Sequence, residues 1–329
     1  MCRLHLASLQ QPNRLVTLPK SDLLTDTSGV RAISDIYAEC SAHKRTVISV
    51  EFFPPKTPKG EESLFDRVLP RLAEAKPDFC SVTYGAGGST RDKTLDVVDR
   101  IQRDFGFVGM AHLTCLATSA TDILNYVNEA NAKGIRNLLA LRGDPPSDSL
   151  SELRPANGFD YAYQLIDFIK QHASSNTSIG CAGFPEGHIA CTEGRETDWQ
   201  RLRNKVDHGA QFILTQLFFD NDDYFRMVDY LTNILGVNVP ITPGILPILS
   251  SAQIKRFSAL CGASLPEPLL AKLDKLGDDD EAVTAFGIEY ASKQCEALLA
   301  GGAPGLHLYS LNRSKAVLGI VRNLGLVDR

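Results

Sequence analysis

Between residues 46 and 311 the chain alternates, eight times over, a short run of β-branched and aromatic residues with a stretch whose apolar residues recur at helical spacing. The runs are Thr46–Phe53, Phe79–Tyr84, Val108–Cys115, Ile135–Leu141, Ser178–Phe184, Phe212–Phe219, Pro240–Leu246 and Leu306–Leu311. Leu64, Val68, Leu69 and Leu72 follow the first, and Leu95, Val98, Ile101 and Phe105 the second. Ser89-x-x-Asp92 and Ser119-x-x-Asp122 supply helix caps. No hairpin signal joins two runs, so the strands are expected to be parallel and linked by crossover helices. Eight such units favour a closed (β/α)8 TIM barrel of one domain, with an open doubly wound sheet as the alternative. The interval from Leu246 to Leu306 is too long for one crossover and holds helical patterns at about 266–276 and 280–300, read as extra helices before strand 8.

Residues 1–45 lack clear periodicity and are read as an N-terminal extension, disordered or loosely packed, ahead of a barrel domain over 46–329. The first 21 residues carry Arg3, Arg14 and Lys20 and no acid, a faint likeness to a transit peptide, but no apolar signal core is present and a cytoplasmic location is expected. With 34 basic and 39 acidic residues dispersed along 329, the chain lacks the charge footprint that nucleic acid or anionic lipid would require. Prolines and glycines between Leu231 and Ile254 exclude a membrane span there. The eight cysteines contain no C-x-x-C pair, and several sit in strand-like runs as small hydrophobes.

A barrel of this kind places its chemistry at the C-terminal ends of its strands. In order, those ends offer Glu51, Thr83 and Tyr84, His112, Arg142 and Asp144, Phe184 and His188, Gln216, the Pro243-Gly244 pair, and Tyr309 with Arg313 beyond. Glu51, inside Val50-Glu51-Phe52-Phe53, is expected either to pair with a cation such as Arg142 or Lys56, or to hold its proton and act as a general acid. His112 is a candidate ligand contact or a hydrogen-bonded core histidine. Gln216 suits the donor and acceptor edge of a flat heterocycle, and Arg142 or Arg313 an anionic group. No metal is expected, since only His188 and Asp144 would join His112. Asp278-Asp279-Asp280-Glu281 reads as a helix start, and Gly85-Ala86-Gly87-Gly88 does not match a dinucleotide fingerprint. The residues alone leave the reaction open, with an acid–base lyase or hydrolase using Glu51 and Asp144 among the readings.

Seven segments together resemble methylenetetrahydrofolate reductase. They are Ser49-Val50-Glu51-Phe52-Phe53-Pro54-Pro55-Lys56, Ser81-Val82-Thr83-Tyr84-Gly85-Ala86, His112-Leu113-Thr114-Cys115, Ala140-Leu141-Arg142-Gly143-Asp144, Thr215-Gln216-Leu217-Phe218-Phe219, Pro243-Gly244-Ile245-Leu246-Pro247 and Tyr309-Ser310-Leu311-Asn312-Arg313. The resemblance implies an FAD-dependent barrel that reduces 5,10-methylenetetrahydrofolate to 5-methyltetrahydrofolate with NADH or NADPH, in a ping-pong sequence that supplies methyl groups for methionine synthesis. It implies that Glu51 is the acid that opens the folate ring to an iminium, and that Asp144 tunes the flavin and favours that cation. It further implies FAD contacts at Thr83, Tyr84, Ala86, His112, Arg142, Gly143, Asp144, Tyr161, Ala162, Phe184, His188, Asp198 and Lys205. Folate or nicotinamide contacts are implied at Glu51, Gln216, Gln253, Phe257 and Arg313. Phe184 stands where many relatives have tyrosine, so one hydroxyl contact is expected to be lost, and Arg201 and Asn204 also differ from some relatives. A bacterial-type enzyme consisting of the catalytic barrel is expected, assembled as a homo-oligomer and without the regulatory domain that confers S-adenosylmethionine inhibition. A subunit that takes electrons from a partner protein is the remaining alternative.

Overall fold

The computed structural model describes residues 29–84, 91–143, 155 and 157–327. Eight parallel strands close into a barrel in sequence order: β1 (Val47–Phe52), β2 (Phe79–Val82), β3 (Val108–Thr114), β4 (Asn137–Leu141), β5 (Ser178–Gly183), β6 (Phe212–Leu217), β7 (Ile241–Ile245) and β8 (Gly305–Tyr309), with β8 pairing back onto β1. The expected (β/α)8 fold is therefore the observed one, and the open sheet is excluded. Strand alternation divides the side chains. Ile48, Val50 and Phe52 of β1 face the surrounding helices, whereas Val47, Phe79, Met110, Leu139, Phe212 and Leu214 fill the barrel interior.

Helix α1 (Ile33–Ala42) precedes the barrel, followed by α2 (Pro58–Ser63) and α3 (Leu69–Leu72) after β1, α4 (Arg91–Phe105), α5 (Ala120–Ala132), α6 (Ala162–His172), α7 (Arg195–His208) and α8 (Asn221–Asp229). A π-helical segment, Leu64–Val68, joins α2 to α3, and another, Tyr230–Ile234, extends α8. Ser119 caps α5 as expected, its Oγ accepting the Asp122 amide at 3.1 Å. The Ser89 cap and the Gly85–Gly88 turn lie outside the described residues. Between β7 and β8 stand α9 (Ser251–Cys261), α10 (Glu267–Leu276) and α11 (Asp280–Ala300), and α12 (Ser314–Asn323) closes the chain. The two expected extra helices are α10 and α11, and Asp279 caps α11 through the Ala282 amide at 3.0 Å, as the acidic run implied.

The extension read over residues 1–45 is corrected for residues 33–42. Ile33, Ile36, Tyr37 and Cys40 recur at helical spacing, are at most 3% exposed, and pack under the barrel against its interior residues. No local cap marks this helix, because its first amides are satisfied from afar: the Ile33 amide donates to Asn137 Oδ1 (2.8 Å) and that of Ser34 to Ser178 Oγ (3.1 Å), both at strand starts. Tyr37 and Thr242 share a buried hydroxyl pair at 2.6 Å. The helix thus seals the N-terminal end and leaves the C-terminal end for ligands. Truncating Ile36 to alanine is expected to lower unfolding stability by about 2–4 kcal/mol in urea denaturation; a loss under about 0.5 kcal/mol would mean that α1 does not carry the barrel floor.

Candidate active site

Glu51 is the next-to-last residue of β1, and alternation turns it into the barrel interior, where it is 8% exposed. The ion pair with Arg142 or Lys56 weighed above is not formed. Among the described residues, the partners of the Glu51 carboxyl are two histidines. His307 Nε2 lies 3.3 Å from Oε2 in hydrogen-bond geometry, and His112 Nε2 approaches the same oxygen at 3.4 Å without hydrogen-bond alignment. Ser49, two residues earlier on β1, reaches His307 Nδ1 at 2.8 Å and the Leu306 carbonyl at 3.3 Å. A serine hydroxyl has one proton. If it is given to Leu306, Nδ1 of His307 must be the donor to serine, and Nε2 of a neutral ring then offers a lone pair to Glu51. The hydrogen bond between His307 and Glu51 therefore contains a proton held by one or the other.

His112, on β3, is buried with its Nε2 unmatched by any hydrogen bond, and desolvation pulls its pKa down to about 4 despite the opposing pull of Glu51. It is a neutral imidazole at physiological pH, and the fully hydrogen-bonded core histidine is excluded. Ser81, beside Glu51 in the sheet register, likewise has a buried hydroxyl with no hydrogen-bond partner. Native proteins leave few such atoms; of the six among the described residues, these two lie in the interior layer around Glu51. The Glu51 backbone is fixed from β8's end: its carbonyl accepts the Ser310 hydroxyl at 2.6 Å and the Ser310 amide at 3.2 Å.

The other expected residues follow the strand ends. Thr83 lies just beyond β2 and its amide donates to Phe52 O at 2.9 Å; the ring of Tyr84 meets Tyr126 edge-on at 5.6 Å. Arg142 leaves β4 and donates from Nε to Asp160 O at 3.3 Å, next to Tyr161, which is exposed, and Ala162, which is buried at the start of α6. Gly143 has φ +86°, a conformation that favours glycine, and a Cβ there would press Thr114 at 3.1 Å. Past β5, the ring of Phe184 stands edge-on to His188 at 4.5 Å, and the His188 amide donates to Asp198 Oδ2 at 3.2 Å. Burial raises the pKa of Asp198, opposed chiefly by Lys205, whose Nζ donates to Ala182 O at 2.9 Å. Gln216 is half-buried on β6; Gln253 and Phe257 occupy one face of α9; Arg313 is exposed at the start of α12. Phe257 packs in a small apolar cluster with Leu217, Leu246, Tyr309 and Leu311, and so leans over the ends of β6 to β8. Ala86 and Asp144 lie outside the described residues. Sequence reasoning missed His307 and Ser49. The signal was present in Gly305-Leu306-His307-Leu308-Tyr309, where apolar neighbours face outward and the histidine must face in. Among the described residues, no group of three His, Cys, Asp or Glu side chains has metal-binding geometry.

A closed parallel barrel sealed at its floor, with a carboxyl and two imidazoles buried near its C-terminal end, has the plan of an α/β-barrel enzyme. The methylenetetrahydrofolate reductase family model matches residues 36–325, and on that match the chain belongs to the methylenetetrahydrofolate reductase family. It is 41% identical to methylenetetrahydrofolate reductase (NADH) 1 of Arabidopsis thaliana over 86% of this chain and 49% of that protein. To 5,10-methylenetetrahydrofolate reductase of Escherichia coli it is 34% identical, over 84% of this chain and 90% of the other. The chain spans about half the length of the plant relatives it matches. An uncharacterized protein from Clostridium thermocellum that binds two copies of 5-methyl-5,6,7,8-tetrahydrofolic acid superposes with a TM-score of 0.59 at 16% identity, over 88% of this chain and 97% of that one, a likeness of fold alone.

The His112 assignment fixes a pH dependence. The unfolded chain takes up this proton near pH 6.5 and the native protein only near pH 4, so stability is lost as pH falls between those values and levels off below them. Replacing His112 with glutamine is expected to make the wild-type loss over that interval smaller by about 2–3 kcal/mol in denaturant unfolding series. An unchanged slope would mean that the ring is protonated in the folded state.

Proposed function

We propose that this mouth reduces 5,10-methylenetetrahydrofolate to 5-methyltetrahydrofolate with NADH or NADPH, through bound FAD and in a ping-pong sequence, supplying methyl groups for methionine synthesis. The observation that carries the reading is the buried Glu51–His307 pair, in a chain of this reductase family. FAD, when bound, accepts a hydride from the nicotinamide and delivers it to the folate.

The residues fit such a cofactor. His112 Nε2 and Ser81 Oγ are buried polar atoms without hydrogen bonds, as expected of groups that await a ligand. Gly143 keeps side-chain bulk off the turn after β4, and Arg142 beyond β4 and Lys205 on α7 bring positive charge to that side, as a pyrophosphate would need. Thr83, Tyr84, Ala86, Tyr161, Ala162, His188 and Asp198 are assigned to the same cofactor, with the Phe184 ring giving packing in place of a hydroxyl. Glu51 holds the proton given to the folate ring nitrogen, with His307 and Ser49 as the chain of hydrogen bonds through which it is replaced. Asp144, directly after Gly143, is assigned the electrostatic role toward the cation that ring opening generates. Gln216 reads the heterocycle edge, Gln253 and Phe257 present an amide and a stacking ring from α9, and Arg313 takes an anionic group. Cytoplasmic location and homo-oligomeric assembly belong to the same proposal; among the described residues, no helix is long and apolar enough to cross a membrane.

Two substitutions test it. Glu51→Gln is expected to retain FAD and its bleaching by NADH or NADPH while slowing folate reduction by about 10²–10⁴-fold in stopped-flow half-reactions; normal folate turnover, or a colourless purified protein, would overturn the reading. Asp144→Asn is expected to slow the folate half-reaction by about tenfold or more with flavin content preserved. Loss of flavin with unimpaired folate chemistry would assign Asp144 to cofactor retention instead.

A further inference from the structure

Strand β6 contains one residue too many for its neighbour. Leu214 pairs with Thr242 of β7 and Leu217 with Gly244, so three steps along β6 are matched by two along β7, a bulge centred on Thr215 and Gln216. A bulge strands backbone groups that a regular ladder would satisfy, and here three of them have a specific substitute. The Gly244 amide donates to the Thr215 side chain at 2.9 Å, and that hydroxyl in turn donates to the Gln216 carbonyl at 2.9 Å. The Thr215 carbonyl accepts the hydroxyl of Tyr309, which reaches across from β8 at 2.6 Å.

That reach passes over β7 and depends on Gly244. A Cβ at position 244 would lie 2.1 Å from the Thr215 carbonyl oxygen and 2.6 Å from the Tyr309 hydroxyl, so only glycine allows the tyrosine to lie there. The consequence falls on Gln216. Its Oε1 accepts the Leu217 amide at 2.8 Å, which fixes the side-chain amide by its oxygen and leaves the Nε2 protons as the face offered to a ligand. We propose that Tyr309 is a positioning residue whose hydroxyl clamps the β6 bulge and thereby aims the Gln216 amide, as a donor, at the acceptor edge of the folate heterocycle. The inference rests on the reading of Gln216 given under the proposed function. It assigns Tyr309 no contact with the reacting atoms.

Tyr309→Phe removes the hydroxyl and keeps the ring, which packs edge-on against His307 at 5.3 Å, so the Glu51–His307 pair is left in place. In the FAD-loaded protein, equilibrium binding of 5-methyltetrahydrofolate is expected to weaken by about tenfold, from the unsatisfied Thr215 carbonyl and the loosened amide. The pH profile of the folate half-reaction should stay unchanged. Gly244→Ala should produce the same loss from the other side of the clamp. The decisive comparison is Gln216→Ala with and without Tyr309→Phe: acting through the amide, the tyrosine should add less than about twofold once the amide is gone. An undiminished tenfold effect in that background would make Tyr309 a direct ligand contact and overturn the proposal. If Gln216→Ala alone leaves folate binding intact, the reading of Gln216 falls first and the clamp with it.

Discussion

The structure depends on the two-residue alternation of strands in a closed barrel. Every second side chain of every strand must enter an interior with no route to bulk water except through one end, and helix α1 closes the other with Ile33, Ile36 and Tyr37. An apolar residue at such a position contributes burial; a polar one must find a partner inside or wait for one to arrive. From floor to mouth the interior passes from Val47, Phe79 and Phe212 to Ser49, Ser81, His112, His307 and Glu51. The chemistry is therefore placed by register, since a slip of one residue in β1 would send Glu51 among the helices and bring Val50 or Phe52 inside.

The second determinant is the departure from that regularity on one side of the barrel. β6 and β7 are out of step by one residue, and the chain after β7 runs through α9, α10 and α11 before returning to β8. Those helices build a separate apolar cluster with Leu217, Phe219, Leu246 and Leu311, so the wall over β6 to β8 has its own small core. Phe257 and Gln253 come from this wall, whereas Arg142, His188, Asp198 and Lys205 come from the regular crossovers on the opposite side. The mouth thus has one flank made of loops and helix starts, suited to an extended cofactor, and one made of an inserted helix layer beside a bulge. On the proposed function, substrate selection falls to the second flank, which can change without disturbing the barrel that holds the first.

Much of this was legible in the order of residues. Each expected strand contains or closely overlaps the observed one, because a doubly buried parallel strand needs an apolar run and leaves a signal that local reading detects. The acidic run Asp278-Asp279-Asp280-Glu281 reads as a helix start, and the cap supplied by Asp279 bears that out. What escaped was set by distant partners. Helix α1 has the spacing of Ile33, Ile36, Tyr37 and Cys40 but takes its caps from Asn137 and Ser178, more than a hundred residues away, so no local start signal announces it. His307 was hidden among Leu306 and Leu308, and its meaning appears only when β8 closes on β1 and brings it to Ser49. The β6 bulge has no local signature either, since its compensation comes from Thr215, Gly244 and Tyr309 on three strands.

The setting of Glu51 bears directly on the general-acid role proposed for it. Two imidazoles approach one carboxyl oxygen, at 3.3 and 3.4 Å, in surroundings that penalise any net charge. Desolvation holds His112 neutral, and the contact left to the carboxyl is its hydrogen bond with His307. On the proposed function, a proton passed from this pair to a ligand leaves charge in a low-dielectric interior, which favours an acceptor that turns cationic beside it. A ring nitrogen whose protonation generates a cation meets that condition, whereas an acceptor that stays neutral does not. On the proposed function, the buried pair couples proton release to the presence of a substrate able to carry the positive charge, which is the selectivity a general acid needs.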